Sequence, residues 1–141
     1  MRHYEMLFIV KPTITNEETL GKLSFVKELL EKNGAQIVAV DDRGTRALAY
    51  PIEKHERGHY FVVYYKGVPA SADEVLRNLR IDEEIIRFLN VKFDKKKEIA
   101  SWDKLVASVK KKTEVKEETP APVETPAAVE TPAAAETPAA E

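Results

Sequence analysis

The stretch GTRALAYPIEKHERGHY, residues 44–60, decides how this chain is read. It opens as a strand-like run carrying Arg46, Leu48 and Tyr50, is stopped by Pro51, turns through Lys54 and enters a second strand at His59. A proline in a central strand would delete a ladder hydrogen bond, so the run before it is expected at a sheet edge. An edge strand bearing cations and an aromatic ring is suited to binding another molecule.

Upstream, YEMLFIV at residues 4–10 is a nearly continuous apolar run of strand length, ended by Lys11 and Pro12. That pattern implies a strand lying centrally or covered on both faces. TNEE at residues 15–18 has capping-box spacing, and Leu20, Leu23, Val26 and Leu30 follow at helical intervals until Asn33 and Gly34 close the helix. The chain alternates again from residue 36 and runs on through Arg46 to Tyr50, with Gly44 predicting a bulge or kink in one long strand.

Downstream, residues 52–58 form a polar turn, and HYFVVYYK at residues 59–66 has the aromatic and β-branched content of a strand, so the two arms make a hairpin. SADE at residues 71–74 reads as a second capping box, opening a short helix with Val75, Leu76 and Leu79 on its buried side. A polar break at residues 82–84 precedes a final strand over residues 85–93.

The order β-α-β-β-α-β is the split βαβ arrangement, an α+β class with a ferredoxin-like, four-stranded antiparallel sheet. Right-handed crossovers place both helices on one face, the first and third strands centrally and the second and fourth at the edges. The other face is then uncovered. If Met6 and Phe8 face the helices, alternation turns half of the set Leu7, Ile9, Phe61 and Val63 toward it. A contiguous exposed apolar patch of that kind marks a binding surface.

The chain has 141 residues and a net charge of −2 that conceals a division. Residues 1–94 carry 14 Lys/Arg against 15 Asp/Glu, residues 95–112 carry 7 against 2, and residues 113–141 carry 1 against 7. Residues 1–94 are the expected single domain, residues 95–112 a basic linker, and residues 113–141 an acidic tail of Glu-Thr-Pro-Ala repeats starting at Glu118, Glu124, Glu130 and Glu136. With no large apolar side chain from Thr119 onward beyond Val123 and Val129, the tail cannot offset its ordering entropy and is expected to be disordered. The basic stretch suits a polyanion, or serves only as a solubilising linker.

There is no cysteine, so disulfides and thiolate metal sites are excluded. The N-terminus shows neither a signal peptide nor a membrane span, and a cytoplasmic protein is the expectation. Cofactors, metals, membranes and small-molecule substrates are not expected as ligands. His3, His55 and His59 show neither helical i,i+4 spacing nor an evident carboxylate partner, and read as surface histidines. G-x-S-x-G, P-loop, H-E-x-x-H and G-x-G-x-x-G motifs are missing. The loop at residues 11–15 lacks the glycines of an anion-cradling nest, which disfavours acyl-phosphate hydrolysis.

Nucleic-acid signals are stronger. RGHYFVVY at residues 57–64 partly matches the RNP1 consensus of RNA-recognition motifs, and Leu7, Phe8 and Ile9 resemble the start of RNP2. His59 and Tyr60 depart from that pattern where bases would stack, so a single-stranded RNA-binding protein of that type is the alternative reading. Basic residues fall at Arg2 and His3 starting the first strand, Arg46 on the edge strand, Lys54 in the turn, and Arg87 and Lys92 on the last strand. Cations on strand edges also deter aggregation, yet a group at neighbouring strand ends can hold RNA phosphates.

The combination of RHYE at residues 2–5, Gly34, Arg46, LAYPI at residues 48–52, Lys54, Tyr60, Leu79-Arg80, Arg87 and Lys92 resembles the bacterial small-subunit ribosomal protein six family over residues 1–94. The resemblance implies a structural protein of the small ribosomal subunit, without catalytic activity, that pairs with ribosomal protein eighteen and binds the central domain of the small-subunit ribosomal RNA. Carried over by position, it makes Arg2, His3, Arg46, Lys54, Arg87 and Lys92 RNA contacts, and Arg46, Leu48 and Tyr50 the partner-protein interface. Thr45 and Ala47 flank Arg46 where relatives often place further basic residues.

Overall fold

The computed structural model describes residues 1–118, with side-chain surroundings described through residue 114. The expected disorder of residues 119–141 lies outside the described residues. In chain order the elements are β1 (Arg2–Val10), α1 (Asn16–Lys32), β2 (Gln36–Ile52), β3 (His55–Gly67), α2 (Pro69–Ile81), β4 (Ile85–Phe93) and α3 (Lys96–Glu118). The first six are the expected β-α-β-β-α-β. The sheet order is β2-β3-β1-β4 and all three pairings are antiparallel, so β1 and β3 are central and the proline-bearing strand is an edge.

Strand alternation sorts β1 and β3 onto two faces. Tyr4, Met6, Phe8 and Val10 of β1 and Phe61, Val63 and Tyr65 of β3 join Leu23, Val26 and Leu30 of α1 and Val75 and Leu79 of α2 in the main core. The face left open by the sequence is thereby settled: Phe61 and Val63 point to α1 and α2, and Val62 and Tyr64 point away. Each large apolar side chain sealed there contributes about 1.5–3 kcal/mol over an exposed one.

The helix starts follow different chemistry. Thr15 Oγ1 accepts from the Glu18 backbone at 3.3 Å while the Thr15 backbone donates to Glu18 Oε2 at 2.8 Å, the reciprocal capping box expected for α1. Its buried side is Thr19, Leu23, Val26 and Leu30, whereas Leu20 faces solvent, because the sheet-facing stripe begins one residue earlier than Leu20. The second capping box does not form. α2 starts at Pro69 after an uncapped Val68, and Ser71 is a buried residue whose hydroxyl donates to the Val68 carbonyl at 2.7 Å. Proline at the first helical position has no N–H to satisfy, which moves the N-cap three residues upstream, from Ser71 to Val68.

The edge strand does not stop at Pro51 but runs to Ile52, and the hairpin closes through Glu53 and Lys54, both at positive φ (49° and 67°), with Ile52 opposite His55. Ladder pairing passes from Ala47 opposite Arg57 to Ile52 opposite His55, leaving residues 48–51 against Glu56 alone. Pro51 sits inside this bulge, where its missing N–H breaks no ladder bond. Gly44, at φ +72°, marks the anticipated earlier irregularity, between Asp42 and Gly44.

Residues 95–112 are not a linker. From Lys96 onward they belong to α3, which continues through residues 113–118 of the expected tail and lies on the sheet face opposite α1 and α2. Trp102, Val106 and Val109 pack against Ala39, Val62 and Tyr64, with Leu7, Val38 and Phe93 at the margin. The buried Trp102 indole N–H donates to the Tyr4 carbonyl at 3.0 Å, and Lys112 Nζ reaches the buried Asp41 carboxylate at 3.0 Å. The seven lysines of this run masked three apolar residues at helical spacing, and the face expected to be uncovered is half covered.

Candidate nucleic-acid and partner interface

The other half of that face stays open. Ladder register places Leu7 of β1 beside Val62 of β3 and Leu89 of β4, and Glu5 beside Tyr64 and Val91. α3 covers the β3 side of these rows, while Leu89 and Val91 on β4 remain 57% and 39% exposed. Ile9 lies so close over Gly58 that a Cβ there would meet its Cγ2 at 2.4 Å, which seals Ile9 without any cover from α3. Leu7, Ile9, Arg87, Phe88 and Leu89 border an apolar hollow of about 270 Å³.

The bulged arm of β2 supplies the rim. Tyr50, 55% exposed, meets β4: Arg87 donates to its hydroxyl and stands over its ring at 5.5 Å. The bulge at residues 48–51 frees this segment from β3 and lets the two edge strands touch. Between the arm and the sheet lies a cleft of about 440 Å³, lined by Glu5, Leu7, Arg43, Arg46, Ala47, Tyr60 and Val62. Arg46 is exposed and its Nε donates to the Arg43 carbonyl at 3.3 Å. Burial pushes the Glu5 carboxyl above its ordinary range, opposed by the Arg43 charge.

Of the residues anticipated from sequence, Arg46, Leu48, Tyr50 and Arg87 thus gather around the arm and the open half-face. Arg2 and Lys92 form a separate pair at the far end of the sheet, with Asp94 held 3.9 Å from Arg2 Nε and 2.6 Å from Lys92 Nζ. The Lys92 hydrogen bond, then the neighbouring charges, hold the Asp94 carboxyl below its usual range. Lys92 is five residues along β4 from Arg87, about 17 Å at strand rise. Lys54 is alone at the hairpin tip. His3 is half-buried with its ring edge-on to Trp102 at 4.7 Å, so it helps seat α3.

Absent from the anticipated set were Leu89, Val91, Arg43 and Tyr60. The alternation of Arg87, Leu89 and Val91 was a signal for one exposed row on β4, but only the sheet order assigns it a neighbour in Leu7. His59 is no free surface histidine: its Nε2 lies 2.7 Å from Asp42 Oδ1, which also accepts the Gly44 N–H at 2.8 Å, so the group pins the bulge at Gly44. On the central strands Tyr4, Phe8, Phe61, Tyr64 and Tyr65 are buried and Tyr60 is half-buried, so no row of exposed rings is left for stacking successive bases.

Among the described residues no group of three His, Asp or Glu side chains could hold a metal ion, and no helix is long and apolar enough to cross a membrane. A ferredoxin-like sheet with an open apolar half-face rimmed by arginines offers a surface suited to docking onto other macromolecules. The profile described as Ribosomal protein S6 matches residues 3–92. Small ribosomal subunit protein bS6 of Campylobacter concisus is 56% identical over 110 residues, covering 78% of this chain and 79% of that protein. The bS6 protein of Campylobacter lari is 59% identical over 110 residues, covering 78% and 89%. A crystal structure of 30S ribosomal protein S6 from Thermotoga maritima superposes with a TM-score of 0.66 at 27% identity, covering 75% of this chain and 97% of that one. The chain belongs to the ribosomal protein S6 family. It is a structural, non-enzymatic constituent of the small subunit of the bacterial cytoplasmic ribosome.

Proposed function

We propose that this protein joins the small subunit as a pair with ribosomal protein eighteen, and that the pair binds the central domain of the small-subunit ribosomal RNA. One observation carries the reading: the exposed Leu89 and Val91 row lies beside Arg46, Tyr50 and Arg87, an apolar centre with a polar, arginine-bearing rim. That is the anatomy of a protein interface. The domain is nearly neutral, with 14 Lys/Arg against 15 Asp/Glu in residues 1–94, so a basic partner supplies much of the attraction to RNA. Arg46, Leu48 and Tyr50 take the partner, and Arg2, Lys92, Lys54 and Arg87 the RNA; His3 serves the packing of Trp102.

Arg46→Glu tests this directly. Its side chain is exposed, so unfolding free energy is expected to move by no more than about 0.5 kcal/mol, while incorporation into small subunits falls. Normal incorporation of the variant counts against the assigned edge. Tight, salt-sensitive binding of arbitrary single strands by the protein alone would favour an RNA-recognition-motif mode instead.

A further inference from the structure

We propose that the outward face of α3 is a second RNA-backbone contact, a lysine ridge formed by Lys97, Lys104 and Lys111. The proposal rests on the ribosomal RNA reading above and extends it to a segment beyond residues 3–92 of the family profile. These lysines are seven residues apart, and a heptad drifts by only about 20° around a straight helix, so they make one stripe about 21 Å long. Trp102, Val106 and Val109 hold the opposite side against the sheet. Lys104 lies two residues past Trp102, about 200° around the axis, and so faces away from it.

Three features separate this stripe from an ordinary solvated surface. The helix is anchored, by the Trp102 bond to the Tyr4 carbonyl and the Lys112 bond to Asp41, so the charges keep fixed spacing. Several cations elsewhere are engaged: Arg2 and Lys92 with Asp94, Lys22 with Asp82 and Glu84, Arg43 and Lys112 with Asp41. Lys97, Lys104 and Lys111 are exposed and form no ion pair among the described residues. Ala100, Ala107 and Ser108 flank the stripe, so no bulky side chain keeps a nucleic-acid strand at a distance. Regularly spaced ammonium groups without carboxylate partners match phosphates, which recur along a backbone and need only well-placed cations. A protein partner would instead need apolar anchors, which this face lacks.

The test is equilibrium binding of the full-length protein, together with ribosomal protein eighteen, to a transcript of the ribosomal RNA central domain across a salt series. The variant Lys97→Gln/Lys104→Gln/Lys111→Gln keeps good helix formers and is expected to bind more weakly, with the slope of log affinity against log salt smaller by about 2–3. A matched variant on the opposite face of the sheet, Lys32→Gln/Arg77→Gln/Arg80→Gln, removes the same charge and is expected to keep the slope of the unaltered protein. Unchanged affinity and slope in the α3 variant overturn the ridge and leave the function standing. Equal losses in both variants overturn it too, because net charge alone then explains them. Failure of the unaltered pair to bind the transcript overturns the functional reading and the ridge with it.

Discussion

The two faces of this sheet are built from the same strands by the same alternation, yet they end in different states. Toward α1 and α2, Met6, Phe8, Phe61, Val63 and Tyr65 are all fully buried. On the opposite face α3 seals Val62 and Tyr64, but leaves Leu89 and Val91 in solvent. Two helices bury the central strands of one face, with Phe88 of β4 only partly buried at its margin, whereas a single helix covers only part of the other. The sealed face is where stability is concentrated, and the half-sealed one is where the protein can dock.

Substitutions on the two faces should therefore separate stability from assembly. The largest effect is expected from Phe61→Ala on the sealed face, a loss of about 3–5 kcal/mol in urea unfolding, because a fully buried ring 5.3 Å from Phe8 leaves a cavity. A loss below about 1 kcal/mol would place the stabilising core elsewhere. Trp102→Ala comes next. Detachment of α3 limits its cost, so the amides of residues 96–112 should lose hydrogen-exchange protection while β1 and β3 keep theirs, with a smaller shift in urea than for Phe61→Ala. Simultaneous loss of protection in β1 and β3 would show that the two faces fold as one unit.

Thr15→Ala, which removes the α1 cap, is expected to cost about 0.5–2 kcal/mol. The Glu18 carboxyl belongs to the same cap: hydrogen bonds from the Thr15 backbone and then the Thr15 side chain hold it below its ordinary range. Its contribution is present above about pH 4.3, the unfolded value, and is lost as pH falls through the lower folded value. Urea midpoints measured from pH 6 to pH 3 should fall less steeply for Glu18→Gln than for the unaltered chain. The smallest effect on stability is expected from Leu89→Ser, within about 0.5 kcal/mol, accompanied by weaker co-elution with ribosomal protein eighteen in gel filtration. Unaltered co-elution would remove Leu89 from the interface.

Much of this was legible along the chain. Pro51 placed its strand at an edge, Thr15 and Glu18 marked a helix start, and Gly44 marked a break in the ladder, because each acts through its own backbone or its near neighbours. Ser71 to Glu74 carried the same capping signature and misled, since Pro69 could begin the helix earlier. The RNP1-like run, kept only as an alternative because His59 and Tyr60 depart from the consensus, has Phe61 and Tyr64 on opposite faces, both covered. Arg46, Tyr50 and Arg87 were recognisable individually, but their meeting depends on the bulge at residues 48–51.

By itself, the sequence determined the order of elements, the edge position of β2 and the division of charge, since periodicity, proline and composition are local properties of a chain. Only the tertiary structure decided that residues 96–118 form a helix seated on the sheet and that the docking surface is the half-face it leaves open. The physical reason is that Trp102, Val106 and Val109 are too few to sustain a core of their own among seven lysines. Their burial depends on Ala39, Val62 and Tyr64, which only the folded sheet brings together.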